Sequence, residues 1–163
     1  TYIRENVFDN IVFYPENFSF VSEKSGYNHL YWYSIGGNLL KQVTAGQYEV
    51  QEFLGYDPEE GSFYFSSNEE SPMRSAIYKI DRKGKKTRLS SQAGTNSAQF
   101  SANMKYYMNR YSNLDTPTVI TLNDNTGKTL ATLMDNAALK RKSAAMTCHG
   151  RNSSLSRLPT EPH

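Results

Sequence analysis

The chain has 163 residues, enough for one ordinary domain with a sizeable core. Its 18 basic and 16 acidic residues leave a formal charge of +2, too weak a field to imply a nucleic-acid partner. No apolar run approaches the roughly 20 residues that cross a bilayer as a helix, and the opening TYIRENVFDN shows no signal-peptide pattern and reads as the interior of a longer protein.

Aromatic residues make up 13% of the chain, with 12 Tyr and 8 Phe, a bias that suits half-buried strands better than helices. In chain order, FSFVSE (18–23) and HLYWYSI (29–35) are followed by a GGN turn and LLKQVT (39–44). SFYFSSNE (62–69) and SAIYKID (75–81) lead through an RKGK turn to KTRLS (86–90). KYYMNRYS (105–112) and TPTVITLND (116–124) lead through NTGK to TLATLM (129–134). Ser22, Ser67 and Ser112 stand 45 residues apart, and the turn glycines Gly37, Gly84 and Gly127 keep nearly the same interval. Segments 49–56 and 98–101 each supply a fourth strand, at the inner or outer edge. Four short antiparallel strands every 40–50 residues mark a β-propeller blade. A β-sandwich, with turns every 8–12 residues, is the competing architecture. Alternation puts Phe18 and Phe20 on one face with Ser19 on the other, and gives Phe63 and Phe65 a shared face.

SGYNHLYWY (25–33), KQVTAGQYEV (41–50), FSSNE with IYKID (65–81) and MKYYMNRYSNLDTPTVITLND (104–124) together resemble the dipeptidyl peptidase IV family of prolyl oligopeptidase-type serine peptidases. The resemblance runs over about residues 10–142, and the matching part is the C-terminal portion of that family's N-terminal propeller. It implies an all-β fold: a partial β-propeller of about three four-stranded antiparallel blades over residues 1–142. It also implies a parent that cleaves dipeptides or tripeptides from peptide N-termini, using a Ser-His-Asp triad in a C-terminal α/β-hydrolase domain. The propeller would gate peptide access to that domain. The nucleophile would sit on a GxSxG elbow, which this sequence lacks. Expected partners are therefore peptide substrates of the parent and the hydrolase domain in cis, with self-association through exposed blade edges. A bacterial parent is expected in the periplasm, outside the cytoplasm or at the cell surface. A stand-alone propeller serving as a protein-interaction scaffold is the alternative, and the gene downstream would discriminate the two.

No catalytic, substrate-binding or metal residue is assigned, and no cofactor is expected. The family's substrate-gripping glutamate pair lies in an earlier segment, so Glu59 and Glu60, and Glu69 and Glu70, read as solvated loop acids. His29 falls within a strand pattern. The basic run KIDRKGKK (79–86) reads as a hairpin tip, and NDNTG (123–127) as a turn that lacks calcium-loop spacing. Trp32 and the Tyr residues beside it, Tyr31 and Tyr33, read as packing between blades.

After Lys142 the aromatics vanish, and the only Cys appears. A family-like linker into the hydrolase domain, read one nucleotide out of frame, gives SAAMTCHGRNSSLSRLPTEP. Residues 143–163 are accordingly expected to be a non-native, frameshifted and disordered tail of a truncated peptidase. Cys148 and His149, adjacent but without an orienting third group, are then accidents of the frame, as are Arg151 and Arg157.

Overall fold

A computed structural model describes residues 11–139 and 141. It contains three antiparallel four-stranded sheets. Sheet 1 comprises β1 (Ile11–Phe13), β2 (Asn17–Ser22), β3 (His29–Ser34) and β4 (Leu39–Gln42). Sheet 2 comprises β5 (Val50–Asp57), β6 (Ser62–Ser67), β7 (Ala76–Ile80) and β8 (Lys86–Arg88). Sheet 3 comprises β9 (Thr95–Phe100), β10 (Tyr106–Ser112), β11 (Val119–Asp124) and β12 (Thr129–Met134). Within each sheet the strands pair in chain order, so each is a simple meander.

The third turn of every meander has the same construction. The amide of Gly37 donates to the Ser34 carbonyl, that of Gly84 to Asp81 and that of Gly127 to Asp124, at 2.9–3.0 Å. Each glycine holds a positive φ of 84–92°, which a residue with a Cβ rarely adopts.

The sheets stack face to face. Val21, Leu30 and Trp32 of sheet 1 share one cluster with Phe63, Phe65, Ala76, Tyr78 and Ile80 of sheet 2. The opposite face of sheet 2, through Tyr64 and Ile77, packs with Tyr107, Phe100 and Ala98 of sheet 3. All six residues of β6 are therefore buried. A strand in a two-sheet sandwich alternates between core and solvent, whereas a middle blade is covered on both faces. This observation separates the propeller from the sandwich. The outer strands β4, β8 and β12 are exposed along their whole length.

The strand at 49–56 is observed as Val50–Asp57, and that at 98–101 begins earlier, at Thr95. Both are the first strand of their sheet. Ile11–Phe13 opens sheet 1 in the same way, although the sequence reading left it unassigned. The 45-residue interval also needs one correction. Ser67 shares the face of Phe63 and Phe65, which points to sheet 1, and Ser22 shares the corresponding face with Phe18 and Phe20. Tyr107 and Tyr111 are the residues of β10 buried toward sheet 2, so Ser112 lies on the reverse face. Because side chains alternate with period two, an odd offset inverts the face. The true offset into the third sheet is even.

Candidate functional site

Between sheets 2 and 3, chemistry-bearing side chains converge at the β5–β6 turn. Asp57 ends β5 with its side chain only 2% exposed. Its Oδ1 accepts the backbone N–H groups of Glu59 and Glu60 at 2.9 and 3.3 Å, which closes the DPEEG turn. Its Oδ2 faces the Lys105 ammonium of sheet 3 at 3.1 Å. Lys105 also lies 3.0 Å from Glu59 and 3.9 Å from Glu60. Glu60 pairs with Lys79 and accepts from the Asn125 amide at 3.1 Å.

Burial pushes the Asp57 carboxyl up, but the Lys105 ammonium and the two turn amides outweigh it and hold the group below the usual carboxylate range. Glu60 is held low chiefly by its bond to Lys79. Lys105 is raised by its bonds to Glu59 and Asp57. Asp57 and Glu60 thus remain ionised, facing the ammonium groups of Lys105 and Lys79. Beside them lies a crevice of about 380 Å³, lined by Glu60, Ser62, Lys79, Asp81, Lys85 and Asn125 among others. The arrangement is a charged clasp. It offers no nucleophile with an adjacent base, and among the described residues no group of three His, Cys, Asp or Glu is placed to hold a metal ion.

Glu59 and Glu60, and Glu69 and Glu70, are exposed turn acids that also form surface ion pairs. Glu69 pairs with Lys86, and Glu70 with Arg88 at 2.9 Å, so both Glu–Glu dipeptides are tied to strands. The basic run is a hairpin turning at Gly84, with Lys79 and Lys86 drawn into those pairs. NDNTG is a turn in which Asp124 Oδ1 accepts from the amides of Thr126 and Lys128. His29 is 2% exposed, with Nδ1 3.1 Å from Thr44 Oγ1 and Nε2 3.1 Å from the Gly46 carbonyl. A carbonyl can only accept, so Nε2 carries the proton and the ring is fully occupied structurally. Trp32 packs between sheets 1 and 2, whereas Tyr31 and Tyr33 lie on the other face, where the Lys24 ammonium sits 3.8 Å from the Tyr31 ring centre. Cys148, His149, Arg151, Arg157 and the whole expected tail at 143–163 lie outside the described residues. The sequence reading missed Asp57 and Lys105. They are 48 residues apart, and only the Asx-turn pattern of DPEEG offered a local signal.

Three sheets, each a meander, with the middle one covered on both faces, are consecutive blades of a β-propeller. The family model for the dipeptidyl peptidase IV N-terminal region matches residues 1–118, and the chain belongs to that family. The crystal structure of Porphyromonas gingivalis dipeptidyl peptidase 4 superposes with a TM-score of 0.82 at 42% identity, over 86% of this chain and 20% of that one. Probable dipeptidyl peptidases 4 of Aspergillus flavus and Aspergillus clavatus are 32% and 29% identical, over 72% and 73% of this chain. The chain spans 16% of the length of each Aspergillus protein. Among the described residues no helix is long and apolar enough to cross a membrane.

Proposed function

We propose that this chain is a non-catalytic wall segment of a dipeptidyl-peptidase-type serine peptidase, and that it limits access to a hydrolase domain elsewhere in the parent to short, extended peptides. The observation that carries the reading is the burial of sheet 2 on both faces by its neighbours. Blades packed in this way form a continuous wall, and such a wall excludes folded proteins sterically without any special residue. The family membership and the relatives' names support the peptidase context. The sequence lacks a GxSxG elbow, so cleavage is assigned to the parent's other domain.

Two measurements test this. The purified chain is expected to leave a Gly-Pro chromogenic substrate intact, and turnover would overturn the reading. Residues 11–134 can also replace the matching stretch of the Porphyromonas gingivalis enzyme. The chimaera is expected to cleave a short Gly-Pro peptide and to spare a folded protein bearing the same N-terminal dipeptide. A chimaera that cleaves both equally well removes the gating role and favours a scaffold.

A further inference from the structure

The two seams differ in chemistry. The first is apolar, built from Val21, Leu30, Trp32, Phe63, Phe65 and Tyr78. The second combines a smaller apolar cluster of Tyr64, Ile77, Leu89, Met104 and Tyr107 with a polar pocket: Ser90, Asn109, Thr121 and Asn123 help line a cavity of about 50 Å³, and Asn109 Oδ1 is buried there without a partner. Such a space, with several polar groups facing it, suits trapped water.

Each end of this seam is secured by a different device. At one end the backbone crosses between sheets: the Ser75 amide donates to the Gly94 carbonyl at 3.2 Å, and the Asn96 amide returns to the Ser75 carbonyl at 2.9 Å. At the other end, the β9–β10 turn carries Met104 and Lys105 side by side. Met104 holds a φ of 55°, an uncommon conformation for a residue with a long side chain. That twist drives its side chain against Gly55, where an added Cβ would stand 2.6 Å from Met104 Cε. Gly55 itself adjoins a register shift in β5, so the notch is built by both strand irregularity and the missing side chain. Lys105 then reaches Asp57 and Glu59.

We propose that Met104 and Lys105 form a latch, and that the bridge at Ser75 and Thr95 is the hinge on which sheet 3 parts from sheet 2 when the latch releases. The apolar first seam stays closed in this motion. Local opening selects the interface with the fewest buried apolar contacts, and the latch compensates for that deficit with one packed sulfur side chain and one ion cluster. Lys105 is a third exposed, so salt weakens its part of the latch.

Methionine oxidation reads the latch directly, because Met104 is 8% exposed and Met73 is 88% exposed in the same chain. In the full chain, brief peroxide treatment followed by peptide mapping is expected to oxidise Met104 at least ten-fold more slowly than Met73. Lys105→Gln, or 1 M NaCl on the unaltered protein, is expected to raise the Met104 rate several-fold while the emission of Trp32 in the first seam stays constant. Met104 protection that is indifferent to both perturbations overturns the proposal. Protection lost only together with the Trp32 signal also overturns it, since the whole chain would then be unfolding. The salt arm keeps the test decisive even where Lys105→Gln does not fold.

Discussion

Trp32 meets Phe63 edge to face across the first seam, with ring centroids 5.0 Å apart and planes at 80°. Tyr56 lies 4.7 Å and Tyr14 5.1 Å from the same indole. The two blades are thus joined through one aromatic cluster, and Trp32 is the only tryptophan in the chain. Its fluorescence is a selective probe of this seam. Blue-shifted emission that shifts red in one step with denaturant is expected. Trp32→Ala removes the centre of the cluster and is expected to cost about 3–5 kcal/mol, measured by urea unfolding followed by circular dichroism. A loss below about 1 kcal/mol would mean that the seam tolerates a void.

Gly84 and Gly127 occupy equivalent turns with nearly the same φ, 86° and 92°, yet their surroundings differ. A Cβ at Gly84 meets nothing within 4 Å, whereas one at Gly127 would lie 2.8 Å from the Leu89 carbonyl oxygen. Gly84→Ala is expected to cost about 1–2 kcal/mol, the left-handed penalty alone. Gly127→Ala adds a clash against backbone that cannot rotate away, and is expected to cost at least about 1 kcal/mol more. Equal losses from paired thermal melts would show that the turn lifts away from sheet 2 instead.

This pair marks the limit of what the sequence discloses. Turn glycines, aromatic alternation and the repeat interval are local or periodic, so three meander sheets were legible from them. Residues 18, 20, 63 and 65 fell on the faces that alternation assigns. The slip at Ser112 arose because an interval counted in residues carries no parity, and parity decides the face. Contacts between sheets carry no such local mark. Lys105 finds Asp57, and Leu89 finds Gly127, only after the blades stack. Glu60 and Glu69 are turn acids whose pairing was not legible because their partners Lys79 and Lys86, although in the same sheet, lie 19 and 17 residues away.

Thr44 serves two groups at once. Its hydroxyl oxygen accepts the Leu30 amide at 2.9 Å and lies 3.1 Å from His29 Nδ1, with the residue 1% exposed. In the neutral ring, whose Nε2–H is committed to the Gly46 carbonyl, Nδ1 accepts and the Thr44 O–H donates. Thr44→Val keeps the shape but strands a buried donor and a buried acceptor, each costing about 1–3 kcal/mol. Thr44→Ser retains the hydroxyl and is expected to recover most of the loss in denaturant titration. A neutral Thr44→Val would require water to have entered the site.

Acid is expected to weaken the second seam through Asp57. Its carboxyl is held below the ordinary 3.8 in the folded chain. The charged form is therefore favoured by folding, and this contribution is complete above the ordinary value and is lost as pH falls through the lowered one. Asp57→Asn removes the titrating group while retaining an acceptor for the turn amides. Its melting temperature is expected to fall less steeply than that of the unaltered chain below about pH 4, where a free aspartate begins to protonate. Identical slopes would place the acid sensitivity elsewhere.

Alkali acts on both seams through tyrosine. Burial pushes the phenols of Tyr14 and Tyr78 in the first seam, and of Tyr107 in the second, up to about 12 from the ordinary 10.0. Tyr78 is raised further by the nearby Glu70 and Glu69, and Tyr107 by Asp124. Folding thus favours the neutral phenols. Their contribution is complete below pH 10 and is lost as pH climbs toward 12, because ionisation in the unfolded chain comes first. Absorbance at 295 nm is expected to show an early tyrosine class near pH 10 and a later class whose ionisation coincides with loss of the Trp32 signal. A single class titrating near pH 10 in the folded chain would mean that these rings are open to solvent, which stacked blades do not allow.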